Sequence, residues 1–230
     1  MNSHKHIVVA LSAATLAGAA QANRPLNTDT ADTITAHRCQ FEPYTLLNRS
    51  SGSPAEHVTV LQLNCGVSDN TQLGLAVSRT SSGDEVSQQV NAGGKTNLIA
   101  IKEGQTGVAV AYGLTAAKPA GAGWSADAAF VYLIATRQLA SNLLGHVNLG
   151  TTHSRLDRHD STTWAAAFEW TVTPGVVLSG ETYGDDRARP WVGTGLWWGV
   201  RDNFSVNMSL GTQTSNPRVR QLSASFNVEF

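Results

Sequence analysis

Charge is scarce in this 230-residue sequence: Asp, Glu, Lys and Arg make up 14% of it, against about 25% in soluble domains. The 16 basic and 17 acidic residues leave a formal net charge of -1. So thin a spread of Lys and Arg lacks the clustered cations that a phosphate backbone demands, which excludes nucleic acid as a partner. Beyond residue 22 no apolar run approaches the ~18 residues of a spanning helix, so a helical membrane protein is excluded as well. There are two cysteines, and their spacing brings no partner ligands for a metal. Neutral Ser, Thr, Asn and Gln fill the polar surface instead. Composition alone names no chemistry; the spacing of the apolar residues does more.

The first 22 residues read as an export signal. A short start with Lys5 precedes an apolar, small-residue stretch over 7–20, and Ala20-Gln21-Ala22 fits a small-x-small cleavage site. The alternative, an N-terminal core helix, suits these flanks less well. The expected mature chain begins at Asn23, outside the cytoplasm, where disulfides persist.

The rest of the chain alternates with period two. Leu222, Ala224, Phe226, Val228 and Phe230 interleave with Gln221, Ser223, Ser225, Asn227 and Glu229. Phe204, Val206, Met208 and Leu210 repeat the pattern, as do Trp164, Ala166, Phe168, Trp170 and Val172. Such strands have one greasy face and one wet face. A soluble β-sandwich alternates too, but three features point elsewhere. The wet faces hold Ser, Asn, Gly and Thr with few Lys or Glu. Aromatics (Trp124, Tyr132, Trp164, Trp170, Trp198, Phe204, Phe226, Phe230) gather toward segment ends, like an interfacial girdle. Phe230 ends an alternating strand, as in the terminal assembly signal of bacterial outer-membrane barrels. The predicted fold is all-β: a closed antiparallel transmembrane β-barrel of about twelve strands in the outer membrane.

The strands are expected at 39–49, 56–67, 71–80, 86–101, 106–116, 125–137, 141–152, 161–173, 176–184, 190–201, 203–214 and 218–230. Short connections such as Pro174-Gly175 alternate with longer ones such as 117–124 and 153–160, the pattern of periplasmic turns and extracellular loops. The fourth and sixth strands are the least marked, with small or apolar residues on both faces. Three regions follow: a signal peptide over 1–22, an irregular periplasmic N-terminal segment over 23–38 and the barrel over 39–230. The segment has two open placements, hanging in the periplasm or tucked into the lumen as a plug. Cys39 opens the first strand and Cys65 lies near the end of the second, so antiparallel pairing sets them side by side. A disulfide is expected there, with free thiols as the alternative.

Several short motifs carry a family likeness. Arg24-Pro25-Leu26-Asn27-Thr28-Asp29-Thr30-Ala31, Cys39-Gln40-Phe41-Glu42, Cys65, Glu181-Thr182-Tyr183-Gly184 and Arg189-Pro190-Trp191 together resemble the small proteobacterial outer-membrane barrels assigned to phenol-degradation pathways as transporter-like proteins. That family tends to show two acidic residues after the threonine, where this chain has Asp29-Thr30. The resemblance implies an outer-membrane, transporter-like barrel, and small aromatic compounds as its solutes.

Parity puts Glu42, Lys95, Asn97, His146, Asn148, Glu169, Glu181, Arg201 and Glu229 on the wet, lumenal face. If Thr173-Pro174-Gly175 turns one strand into the next, Glu169 lies opposite Ser179 and Glu181 opposite Ala167, with His146 beside Ala167 or Glu169. His146, Asn148, Glu169 and Glu181 then converge on one wall, facing Lys95 across the lumen. They make either a charge-selecting constriction or a polar network filling a closed structural barrel. With more acids than bases, an open lumen would favour cations. The expected function is a narrow passive channel for small solutes, without cofactors. Its partners would be outer-membrane lipid and, through the C-terminal strand, the barrel-assembly machinery. A lipid-modifying enzyme is the other class. His159-Asp160-Ser161 superficially resembles the His-x-Ser element of outer-membrane phospholipase, but Thr162-Thr163 follow where that family has Asn-Gly.

Overall fold

The computed structural model describes residues 26–155, 158–215 and 217–230; the expected signal peptide lies outside them. Twelve strands form among the described residues: β1 (Cys39–Ser50), β2 (Glu56–Ser68), β3 (Thr71–Ser82), β4 (Glu85–Ile99), β5 (Gly107–Lys118), β6 (Ser125–Ala140), β7 (Leu143–Ser154), β8 (His159–Thr173), β9 (Val176–Asp185), β10 (Trp191–Arg201), β11 (Phe204–Gln213) and β12 (Val219–Glu229). Each pairs antiparallel with its sequence neighbours, and β12 pairs with β1 to close a barrel. Closure leaves no sheet edge, so the backbone N–H and C=O groups of the wall are bonded within it, as lipid requires. At ~3.3 Å per residue, a twelve-residue strand tilted by ~40° spans about 30 Å, a bilayer's hydrocarbon thickness.

Alternation decides which side chains meet lipid. Leu61, Leu63, Leu73, Leu75, Val131, Leu133, Val147, Leu149, Met208 and Leu210 all point outward and stay exposed. In water this belt would be an aggregation surface; around a membrane barrel it is the lipid face. Trp164 and Trp170 sit on that face of β8 at different heights, joined by Trp198 and Phe226. Tyr132, grouped above with the girdle, is instead buried inside the barrel; its even number follows the inward register of β6, which Phe130 and Ile134 share.

The strand ends follow turn chemistry. Gly175 takes the left-handed conformation (φ 79°) in the β8–β9 turn, where a side chain would be strained. β6 runs on to Ala140 because Gln138 and Ala140 still pair with Leu144 and Leu143, which moves the turn to Ser141-Asn142. β4 stops at Ile99, short of the expected 101. A turn bridged at Lys102 and Gln105 carries Ile101 back over Gly107 and against the cluster of Ala31, Ala109 and Ala111.

The disulfide Cys39–Cys65 forms between residues that are direct register partners. On the other side of β1, Cys39 N–H donates to the Phe230 carbonyl at 2.8 Å and Phe230 N–H to the Cys39 carbonyl at 2.9 Å. The first strand is thus tied to both neighbours at the same height.

Candidate functional site

The lumen is occupied. Residues 26–31 lie inside the barrel, and Leu26, Thr28, Asp29, Thr30 and Ala31 are all buried. The chain enters at the end where β1 begins. His37, with a left-handed φ of 64°, turns it inward, and Ala36 makes a parallel bridge with Gly66. His37 N–H donates to the Gly66 carbonyl and Gly66 N–H to the Arg38 carbonyl, both at 2.9 Å. A Cβ on Gly66 would lie 2.2 Å from the Thr35 carbonyl oxygen, so only glycine allows this approach.

From that root the segment climbs one wall. Ile34 N–H donates to Gln72 Oε1 at 2.9 Å, Asn97 Nδ2 donates to the Ala31 carbonyl at 2.7 Å, and Ala31 N–H donates to Thr136 Oγ1 at 2.9 Å. Asp29 is the centre of the docking. Its carboxylate accepts from Lys95 Nζ at 2.8 Å and from the Tyr132 hydroxyl at 3.2 Å. Both charged side chains are essentially solvent-free. Burial pushes the Asp29 carboxyl above its ordinary range, and Lys95 pulls against it. Asn148 grips the same residue's backbone, accepting from Asp29 N–H at 2.6 Å and donating to its carbonyl at 3.0 Å. Higher up, Glu181 accepts from Asn27 N–H and Nδ2 and from Thr28 N–H and Oγ1, all within 3.1 Å. Two adjacent backbone N–H groups on one carboxylate are charge-assisted bonds, the strong kind.

The structure therefore brings together the residues singled out from the sequence, with one difference in role. Glu169 is opposite Ser179, Glu181 opposite Ala167 and His146 opposite Ala167. His146 Nε2 lies 3.7 Å from Glu169 Oε2, and His146 Nδ1 lies 3.0 Å from Thr136 Oγ1. Lys95, Asn148 and Glu181, however, do not face one another across open water: each holds the N-terminal segment. Sequence reasoning left Asp29, Thr136 and Tyr132 out of the site. An isolated acid in an irregular segment showed nothing by period, and its counter-charge is 66 residues away.

Two lumenal assignments change. Arg201 is exposed, because a bulge between Gly199 and Arg201 breaks the alternation at the end of β10. Glu229 is half-buried near the mouth, 3.8 Å from Arg38. The lumen is also less uniformly polar than parity suggested. Toward the end where β2 begins, Val58, Val60 and Ala76 cluster inside with Tyr44 and Leu46. Tyr183 and Trp191 stack there with Ala165 and Val219. In the other histidine-bearing region, His153 Nδ1 lies 2.7 Å from Asp160 Oδ1 at an exposed position. Ser161 shares the inward face of β8 with buried Ala165.

Opposite the segment the wall carries several small residues. Gly193, Ser209, Gly211, Ser223 and Ser225 face inward on β10–β12 and remain half-exposed. Ser209 and Ser223 are hydrogen-bonded to each other.

A family model described as "Uncharacterised conserved protein UCP029691" matches residues 8–230. The chain belongs to that family. No curated protein matches it. Among solved structures, the COG4313 outer membrane channel from Pseudomonas putida F1 superposes with a TM-score of 0.65 at 12% identity, covering 89% of this chain and 100% of that one. The KdgM porin, solved with disordered oligogalacturonate, gives 0.62 at 10% identity, covering 83% and 99%. Outer membrane phospholipase A from Escherichia coli gives 0.51 at 11% identity, covering 86% and 98%. At such identities the likeness is one of fold, and the fold is that of a bacterial outer-membrane β-barrel.

Proposed function

We propose that the protein is a narrow passive channel for small solutes in the bacterial outer membrane, with a route that runs past the N-terminal segment along the small-residue wall of β10–β12. The half-exposed Gly193, Ser209, Gly211, Ser223 and Ser225 carry this reading: they point into the lumen, yet the segment docked on the opposite wall leaves them uncovered. The half-exposed Tyr44 and Leu46, backed by the buried Val58 and Val60, favour solutes with a small apolar or aromatic body, as the resemblance to phenol-pathway barrels implies. The matched channel and porin agree with transport. A lipid hydrolase needs its nucleophile at the bilayer, whereas Ser161 lies on the inward face.

The segment's bonds to Lys95, Asn148 and Glu181 favour a second reading, a permanently filled structural barrel. Planar-bilayer recording and liposome swelling separate the two. The mature chain should conduct weakly, and a chain lacking 26–34 should conduct several-fold more. A barrel that stays sealed with and without those residues overturns the channel.

A further inference from the structure

Glu42 is a lumenal carboxylate away from the docked residues 26–31. Glu42 on β1 points inward and is 5% exposed, and among the described residues no Lys, Arg or His forms an ion pair with it. The Ser225 hydroxyl donates a hydrogen bond to it. With its hydrogen directed at Glu42, Ser225 accepts from Asn207, whose Nδ2 lies 2.9 Å from Ser225 Oγ. That bond orients the amide and leaves Asn207 Oδ1 buried without a donor. Asn227 repeats the arrangement: its Nδ2 donates to Ser205 Oγ at 3.4 Å, and its Oδ1 is buried and unpartnered. The pairing of Phe41 with Val228 and Tyr44 with Ser225 sets Asn227 beside Glu42. Next to them, Gln40 and Asn64 are register partners across β1–β2, and both polar ends of each are buried and unpartnered. Gln40 and Asn64 bring free donors as well as acceptors, so the surplus of acceptors belongs to Asn207, Asn227 and Glu42.

Buried polar groups are normally satisfied, and an ionised carboxylate without counter-charge is costly. What this wall lacks is positive charge with hydrogen-bond donors or a bare ionic radius. One carboxylate among neutral amide oxygens is too little charge for a hard divalent ion, which gathers carboxylates. Carbonyl oxygens that replace a hydration shell, and carboxylates, are instead the groups that line monovalent-cation paths. We propose that Glu42, with the amide oxygens of Asn207 and Asn227 and flanked by Gln40 and Asn64, forms a binding site for a small monovalent cation, either an alkali ion or the ammonium group of an organic amine. Half-exposed Ser223 and Ser225 open it to the lumen. As a selectivity element it rests on the channel reading; as a binding site it does not.

The test uses the full mature chain in detergent, unfolded by urea in potassium, methylammonium or choline chloride at equal ionic strength. Binding to the folded state alone raises the midpoint. The wild type should show a higher midpoint in potassium or methylammonium than in choline, and Glu42→Gln should abolish the difference. A larger rise in methylammonium assigns the site to amines, and a larger rise in potassium assigns it to alkali ions. Asn227→Asp, which adds a second carboxylate, should steepen the dependence and keeps the test open if Glu42→Gln does not fold. A wild type indifferent to the cation, or a rise unchanged in Glu42→Gln, overturns the site. In bilayers under a potassium chloride gradient, the wild type should prefer potassium over chloride and Glu42→Gln should lose that preference. A Glu42-dependent midpoint in a barrel without conductance would sink the channel and keep the site; conductance without either cation effect would do the reverse.

Discussion

Two inner walls of one barrel are finished in different ways. On the wall of β4–β9, charge meets charge or a charge-assisted donor: Lys95 meets Asp29, and Glu181 meets the backbone of Asn27 and Thr28. On the wall of β10–β12 and β1, small side chains stand half-exposed, and among the described residues Glu42 has a hydroxyl donor and no ion pair. Both arise from the same period-two alternation. Alternation decides which residues face the lumen, but what fills the lumen decides whether they become anchors or lining. The docked wall is a built contact, and the small-residue wall is the space it leaves.

The largest expected effect is on the docked wall. Lys95→Met strands Asp29 as a buried, unpaired acid, and breaking a buried pair costs about 3–5 kcal/mol. The segment should leave the lumen, read as faster protease cleavage within 26–38 of the solubilised barrel. Adding Asp29→Asn should restore much of the protection, since no lone charge then remains; protection unchanged by Lys95→Met would break the contrast between the walls.

Glu181→Gln should weaken docking less, by roughly 1.5–3 kcal/mol, the worth of hydrogen bonds to a charged group. Glu42→Gln, on the other wall, should leave protease protection unchanged. Equal effects from the two would mean that the segment touches both walls.

Gly66→Val tests the root. Its new side chain meets the carbonyls of Thr35 and Ile34, an overpacking of about 1–3 kcal/mol that a shift of the segment partly relieves. Raised conductance with an intact heat-modifiable barrel is expected.

The smallest effect belongs to Cys65→Ser. Closing a loop of this length is worth ~3 kcal/mol in the chain-entropy model, but the β1–β2 ladder and the β1–β12 seam remain to hold the strand. Heat-modifiable barrel should persist at wild-type yield, and mass mapping of the wild type should find Cys39 and Cys65 joined.

Much of this was legible because β-structure is local. Turn residues such as Pro174-Gly175 set the hairpin register, so Glu169 and Glu181 could be placed against Ser179 and Ala167 by counting from the turn. The same counting set Cys39 against Cys65. It failed where local rules break, at the bulge before Arg201 and the fold-back of Ile101. Asp29 was illegible for another reason. It lies in no periodic element, and its importance comes from partners on β4, β6 and β7 that no spacing in the chain connects to it.

Strand count, the lipid-facing and lumen-facing sets and the cysteine pairing were readable from the chain alone, because each depends on period two and on neighbouring hairpins. It took the closed barrel to show that residues 26–31 dock inside, which wall they take and that Glu42 forms no ion pair among the described residues. Closing the barrel brings distant strands around one narrow, poorly hydrated space. There a charge such as Lys95 must find a partner, and the segment that enters supplies it.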